Sequence, residues 1–170
     1  MSTIKTVFGF LGQALERYTP MKLSGDRPED SFNYQEITDR LSTSGQPNEN
    51  QLVNIAKAGF TTVINLAPVS KLENSIINEA EILQGEGVEY IHLPVDFENP
   101  TEEDYARFLK HMADKSGEQL WVHCAANMRV SAFMYRYRTT ELGEAEKEVR
   151  ADMNEIWEPF GVWRKFIGWE

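Results

Sequence analysis

Cysteine is nearly missing from this chain: there is one in 170 residues, beside only three histidines. A single thiol closes no internal disulfide, so no disulfide framework supports the fold. That lack suits a reducing cytoplasm. His92, His111 and His123 form no Cys–His cluster, which argues against a structural zinc site. Basic residues are also scarce, with 17 Lys and Arg against 27 Asp and Glu, a net charge of −10. Such a surface argues against nucleic acid and anionic lipid as partners. Any anion site must then be a local positive spot. No run approaches the roughly 18 apolar residues of a membrane span. What is present, a hydrophobic share of 41% over this length, is enough for one sizeable core.

Residues 1–30 read as a helix followed by a linker, and 31–170 as the domain proper. Ile4, Val7, Phe8, Leu11 and Leu15 recur at helical spacing, which predicts an amphipathic helix packed on the domain through that stripe. Gly9, Gly12 and Gln13 interrupt it, unlike the unbroken apolar segment of a signal peptide. From Tyr18 to Asp30, prolines, glycine and charges predict a linker. Phe32 to Ser42 looks strand-like, and Thr43 to Pro47 looks like a turn.

Helices are predicted after Asn48 (ending at Gly59), over Lys71 to Gln84, and from Thr101, whose Asp104 completes a capping box. Two more are predicted over Val130 to Leu142 and Glu144 to Trp157. Strands are predicted at Thr61 to Leu66, Val88 to Leu93 and Gln119 to His123. Strands alternating with helices imply an α/β fold, a mainly parallel central sheet flanked by helices. Ligands of such sheets bind beyond the carboxyl ends of the strands.

Cys124 lies at such an end, in Trp121-Val122-His123-Cys124-Ala125-Ala126-Asn127-Met128-Arg129-Val130-Ser131. A thiol beside a cation at a helix N-terminus is activated as a thiolate nucleophile. Ala125 and Ala126 keep the loop backbone accessible, and Asn127 tolerates a left-handed conformation. The amides of Ala125, Ala126, Asn127, Met128 and Arg129 form an anion nest, which the Arg129 guanidinium completes with its planar fork. Ser131 serves either as a hydroxyl near the sulfur or as a helix cap. His123 points to the other side of its strand and reads as a core histidine. Asp96, in a loop over the same sheet end, is the candidate general acid, with Glu98 as its substitute.

These residues resemble the cysteine-based phosphatase superfamily, and more narrowly the dual-specificity-phosphatase-like proteins of the β-lactamase-hydrolase-like domain family. The resemblance is carried by Thr43-Ser44-Gly45-Gln46-Pro47, by Gly59 to Leu66 (GFTTVINL), by Tyr90 to Asp96 (YIHLPVD) and by Val122-His123-Cys124. It implies a dual-specificity-phosphatase fold and a phosphocysteine mechanism without metal or cofactor. Only four residues separate Cys124 from Arg129, where a tyrosine phosphatase has five. Asn127 takes the usual glycine place, and Val130 stands where that arginine would fall.

Three readings follow. The first is a phosphatase using Cys124, Arg129 and Asp96, with Ser131 on the usual serine or threonine position. The second is a rhodanese-like sulfurtransferase through a Cys124 persulfide, which the short loop favours. The third is an inactive module that binds a phosphorylated partner. In the enzymatic readings the partner is a phosphate- or sulfur-containing anionic substrate.

Overall fold

A computed structural model describes residues 2–18, 24–70, 73 and 75–169, and only the backbone of 16–18. The elements are α1 (Ser2–Tyr18), β1 (Gln35–Thr38), β2 (Leu41–Ser44), α2 (Glu49–Lys57), β3 (Thr62–Asn65) and α3 (Glu79–Gly85). They continue as β4 (Glu89–His92), α4 (Glu102–Asp114), β5 (Leu120–His123), α5 (Met128–Thr140), α6 (Glu146–Ile156) and α7 (Val162–Phe166).

The five strands form one sheet in the order β1-β2-β5-β3-β4. Strands β2, β5, β3 and β4 run parallel, and only the edge strand β1 is antiparallel. Helices cover both faces, so each inner strand is buried on both sides and alternates between two cores. Ile64 and Val122 point into the larger core with α4 to α7, where Phe108, Phe133, Trp157 and Trp163 are buried. Val63 and Trp121 point the other way, onto Leu52, Ile55 and Leu83 of α2 and α3.

Local chemistry sets the helix starts. Asn48 and Thr101 each accept the N3 amide, while Gln51 and Asp104 reach back to the cap amide. Such caps contribute about 1 kcal/mol each. Gly59 follows α2 at φ +96°, a conformation that favours glycine.

Four sequence expectations give way. The single strand over 32–42 is a hairpin, and Thr43 and Ser44, read as a turn, are the end of β2, paired with Val122 and His123. The linker contains a short 3-10 turn at Pro28–Asp30. The helix expected over 71–84 begins only at Glu79; Lys71, Leu72 and Asn74 of that segment lie outside the described residues. Upstream, Ser75 donates its hydroxyl to the Pro68 carbonyl and accepts the Ser70 amide, while the Ser70 hydroxyl accepts the Glu73 amide. These side chains give the backbone partners that compete with a helix.

The fourth concerns α1. Its apolar stripe points outward, with Ile4, Phe8 and Leu15 among the exposed residues. The opposite side packs. Thr6 is buried and donates to the Ile156 carbonyl, Thr3 accepts the Glu158 amide, and Gln13 reaches the Gln46 carbonyl. Gly9 meets Phe32 so closely that a Cβ would lie 2.4 Å from the ring.

Candidate active site

Cys124 leaves the carboxyl end of β5, the middle strand of the sheet, so the loops after β2, β3 and β4 surround it. Its residue is almost fully buried, yet it lines a cleft of about 740 Å³. The loop after β5 (Cys124, Ala125, Ala126, Met128, Arg129) supplies one wall of this cleft. Pro94, Asp96, Phe97 and Glu98 from the β4–α4 loop face it, and Pro68 and Glu73 come from the β3–α3 segment. A fourth wall is Thr6, Val7, Phe10 and Leu11 of α1.

The loop is held through its carbonyls. The Gln46 amide donates to Ala125 at 3.0 Å, the Asn33 side chain to Ala126 at 3.0 Å, and the Ser131 amide to Asn127 at 2.9 Å. Gly45 allows the close approach, since a Cβ there would sit 2.9 Å from the Ala125 oxygen. Asn127 adopts φ 63°, ψ 5° and caps α5. Its side-chain amide donates to the Asn33 carbonyl and the Thr43 hydroxyl, which fixes the left-handed turn. The first amides of α5 have no partner within the helix.

Arg129 extends from that first turn into the cleft and is 3% exposed. Its Nη2 lies 2.5 Å from Glu73 Oε1, and its guanidinium rests 5.4 Å from the centre of the Phe97 ring. Burial disfavours its charge, but the Cys124 sulfur and the Glu73 carboxylate outweigh that and hold its pKa above the usual value. Its Nε is buried with no partner among the described residues. An unpaired buried donor is costly, and here it sits on a guanidinium that faces a cleft. Val130, the alternative arginine position, is fully buried in the core.

The other expected site residues fall in different places. Asp96 is exposed on the cleft and accepts the Glu98 amide at 2.9 Å. Ser131 is not the helix cap. It sits in the first turn of α5, donates to the Met128 carbonyl and accepts the Trp157 indole N–H, both at 3.0 Å. Its hydroxyl therefore ties α5 to the C-terminal core. Asn127 contributes its backbone conformation, with its side chain directed away into β1–β2 contacts.

His123 is fully buried, with Nε2 2.7 Å from Glu79 Oε1. Glu79 also receives Asn65 Nδ2 at 3.0 Å and the Tyr90 hydroxyl at 3.3 Å. Burial disfavours the Glu79 charge, yet the neighbouring His123 and hydrogen bonds from Gln46 and Tyr90 hold its pKa below the ordinary glutamate range. Burial and the Glu79 charge push the Tyr90 hydroxyl well above its usual value.

Three contributors escaped the sequence. Glu73 sat in a predicted helix, where a carboxylate reads as solvated. Trp163 donates its indole N–H to the Phe97 carbonyl at 2.9 Å and so anchors the β4–α4 loop. Helix α1 forms a cleft wall. The aromatic residues of the C-terminal segment (Phe160, Trp163, Phe166, Trp169) are the one sequence signal there, and of these Trp163 and Phe166 are buried.

The Cys124 loop leaves the middle strand of a mainly parallel sheet that helices cover on both faces, the arrangement of the cysteine-based phosphatases. The chain belongs to the family described as DSP-PTPase phosphatase fused to NAD+ kinase, whose profile matches residues 13–159. It is 31% identical to a DUF442 candidate phosphatase of Shewanella putrefaciens CN-32, with a TM-score of 0.72 over 81% of this chain and 87% of that one. The beta-lactamase hydrolase-like protein of Xylella fastidiosa (strain Temecula1) is 35% identical over 96 residues, 55% of this chain. This chain spans only 22% of that relative's length. The PP-IP phosphatase SIW14 of S. cerevisiae, 11% identical, shares the fold with a TM-score of 0.67 over 81% of this chain and 84% of that one.

Among the described residues, no helix is long and apolar enough to cross a membrane, and no group of three or more His, Cys, Asp or Glu is placed to hold a metal ion.

Proposed function

We propose that the protein hydrolyses a phosphomonoester through a phosphocysteine at Cys124. One observation carries this reading: the sulfur and a buried guanidinium with an unpaired Nε face the same cleft. In the first step the Cys124 sulfur, as thiolate, attacks phosphorus and forms an S–P bond. The ester P–O bond breaks, and its electron pair leaves on the alcohol oxygen, which takes a proton from the Asp96 acid. Loop amides 125–129 and Arg129 hold the equatorial oxygens as charge builds on them. In the second step water attacks phosphorus and gives its proton to the Asp96 carboxylate. The S–P bond breaks, its electron pair returns to sulfur as the thiolate, and inorganic phosphate is released.

The Asp96 role predicts a dependence on the leaving group. Asp96→Asn will lower kcat on an alkyl phosphate by about 100-fold. The same change will have little effect on a nitrophenyl ester, whose oxygen leaves without protonation. An equal loss on both esters would remove Asp96 from the mechanism.

Glu73 competes with substrate for Arg129, because it already occupies Nη2 at 2.5 Å. Glu73→Gln will tighten binding of inorganic phosphate about fivefold, the worth of about 1 kcal/mol from one partly exposed pair. Titration calorimetry measures this directly. Weaker binding in the variant would instead make Glu73 a support that orients the guanidinium.

A further inference from the structure

Helix α1 carries its polar side inward and its apolar side outward, the reverse of a surface helix packed on a core. It contributes five of the ten large hydrophobic residues described as exposed: Ile4, Val7, Phe8, Leu11 and Leu15. The stripe is continuous with the candidate site, because Val7 and Leu11, together with Phe10, form a wall of the Cys124 cleft. Val69, 58% exposed, follows Pro68, which also lines the cleft. Exposed apolar surface thus gathers at the mouth of the cleft, and such a patch marks a surface that something apolar covers.

The charges around the cleft narrow what that is. Glu73, Asp96 and Glu98 line it against Arg129, the one cation lining it among the described residues, in a chain of net charge −10. One phosphoryl group has a partner there. A second phosphate, or an anionic bilayer, meets repulsion. From Val7 to Leu15 the stripe extends about 12 Å along the helix.

We propose that the substrate is an amphiphilic phosphomonoester: one terminal phosphoryl group on an alkyl or acyl chain. The headgroup lies over Cys124 and Arg129, as in the phosphatase reading on which this inference rests. The chain runs along Val7, Phe10 and Leu11 toward Phe8 and Leu15. Thr3, Thr6, Gly9 and Gln13 then have a purpose: they dock α1 by its polar side and leave the apolar side for the substrate.

Calorimetric binding of ethyl, hexyl and decyl monophosphates to the full chain carrying Cys124→Ser tests this, each below its critical micelle concentration and beside inorganic phosphate. A fully buried methylene multiplies affinity about fourfold, and a half-open wall recovers part of that. Affinity is expected to rise at least about tenfold from ethyl to decyl. Phe8→Ser with Leu11→Ser, at positions 69% and 53% exposed and therefore harmless to the fold, is expected to abolish most of that rise.

If phosphate binds but chain length has no effect, the amphiphile is rejected while the phosphatase reading stands. If neither phosphate nor any ester binds, both fall. The stripe would instead be an interface between copies if sedimentation shows a dimer that the double variant dissolves without altering decyl affinity; that result also overturns the proposal.

Discussion

Arg129→Ala will lower kcat/KM for a phosphomonoester by two to three orders of magnitude, about 3–4 kcal/mol of transition-state stabilisation. The size follows from its position. The guanidinium is the only cation lining the Cys124 cleft among the described residues, and burial keeps water from replacing it. Its Nε has no other partner there, so this donor is available to an equatorial oxygen as charge develops. Lysine places a single point charge and lacks the planar fork, so Arg129→Lys will recover only part of the loss. The fold will tolerate either change, because the partner left behind, Glu73, is partly exposed and regains water. A loss below tenfold for Arg129→Ala, with an unchanged melting temperature, would show that the short loop holds the phosphoryl group through its amides alone.

Glu79→Leu will act on stability instead. Removing this carboxylate leaves several buried polar partners unsatisfied, at about 1–3 kcal/mol each, which makes about 3–5 kcal/mol in all. In a chain of this size that lowers the melting temperature by roughly 6–20 °C. His123, Asn65, Tyr90 and Gln46 all converge on this carboxylate, so its loss strands several polar groups at once.

The pH dependence has a definite sign. The carboxyl is held below its ordinary value when folded, so its contribution is fully present above the unfolded value of about 4.3. It disappears as pH falls through the folded value. The gap between wild type and variant in thermal melts will therefore be wide at pH 7 and narrow progressively below about pH 4. A gap constant down to acid denaturation would mean that the pair contributes shape but no net charge stabilisation.

Much of this architecture could be read from local sequence chemistry. Strands β3 and β5 announce themselves because burial on both faces demands apolar side chains in both directions, as Val63 with Ile64 and Trp121 with Val122 show. The Thr101–Asp104 box and the left-handed Asn127 are decided within a few residues. What stayed hidden depends on partners distant in the chain. The period of α1 reveals a stripe but not which side docks. That choice rests on Thr6 meeting Ile156, 150 positions away. Likewise, Leu72, Ile76, Ala80 and Leu83 fit one helical face, yet Ser70 and Ser75 bind the backbone first. Ser131 looks like a cap or a thiol partner until the Trp157 indole N–H is found on its hydroxyl. Glu73 became a site residue only through Arg129, 56 positions on.

The central claim is covalent, and so is its most direct test. The protein is mixed with a fast-leaving aryl phosphomonoester, quenched in alkaline denaturant within a single turnover, and digested at alkaline pH for mass spectrometry. A phosphoryl group is expected on Cys124 in proportion to product formed, and none on the Cys124→Ser protein. Alcohol and phosphate released in step while the sulfur stays unmodified at every time point would contradict it.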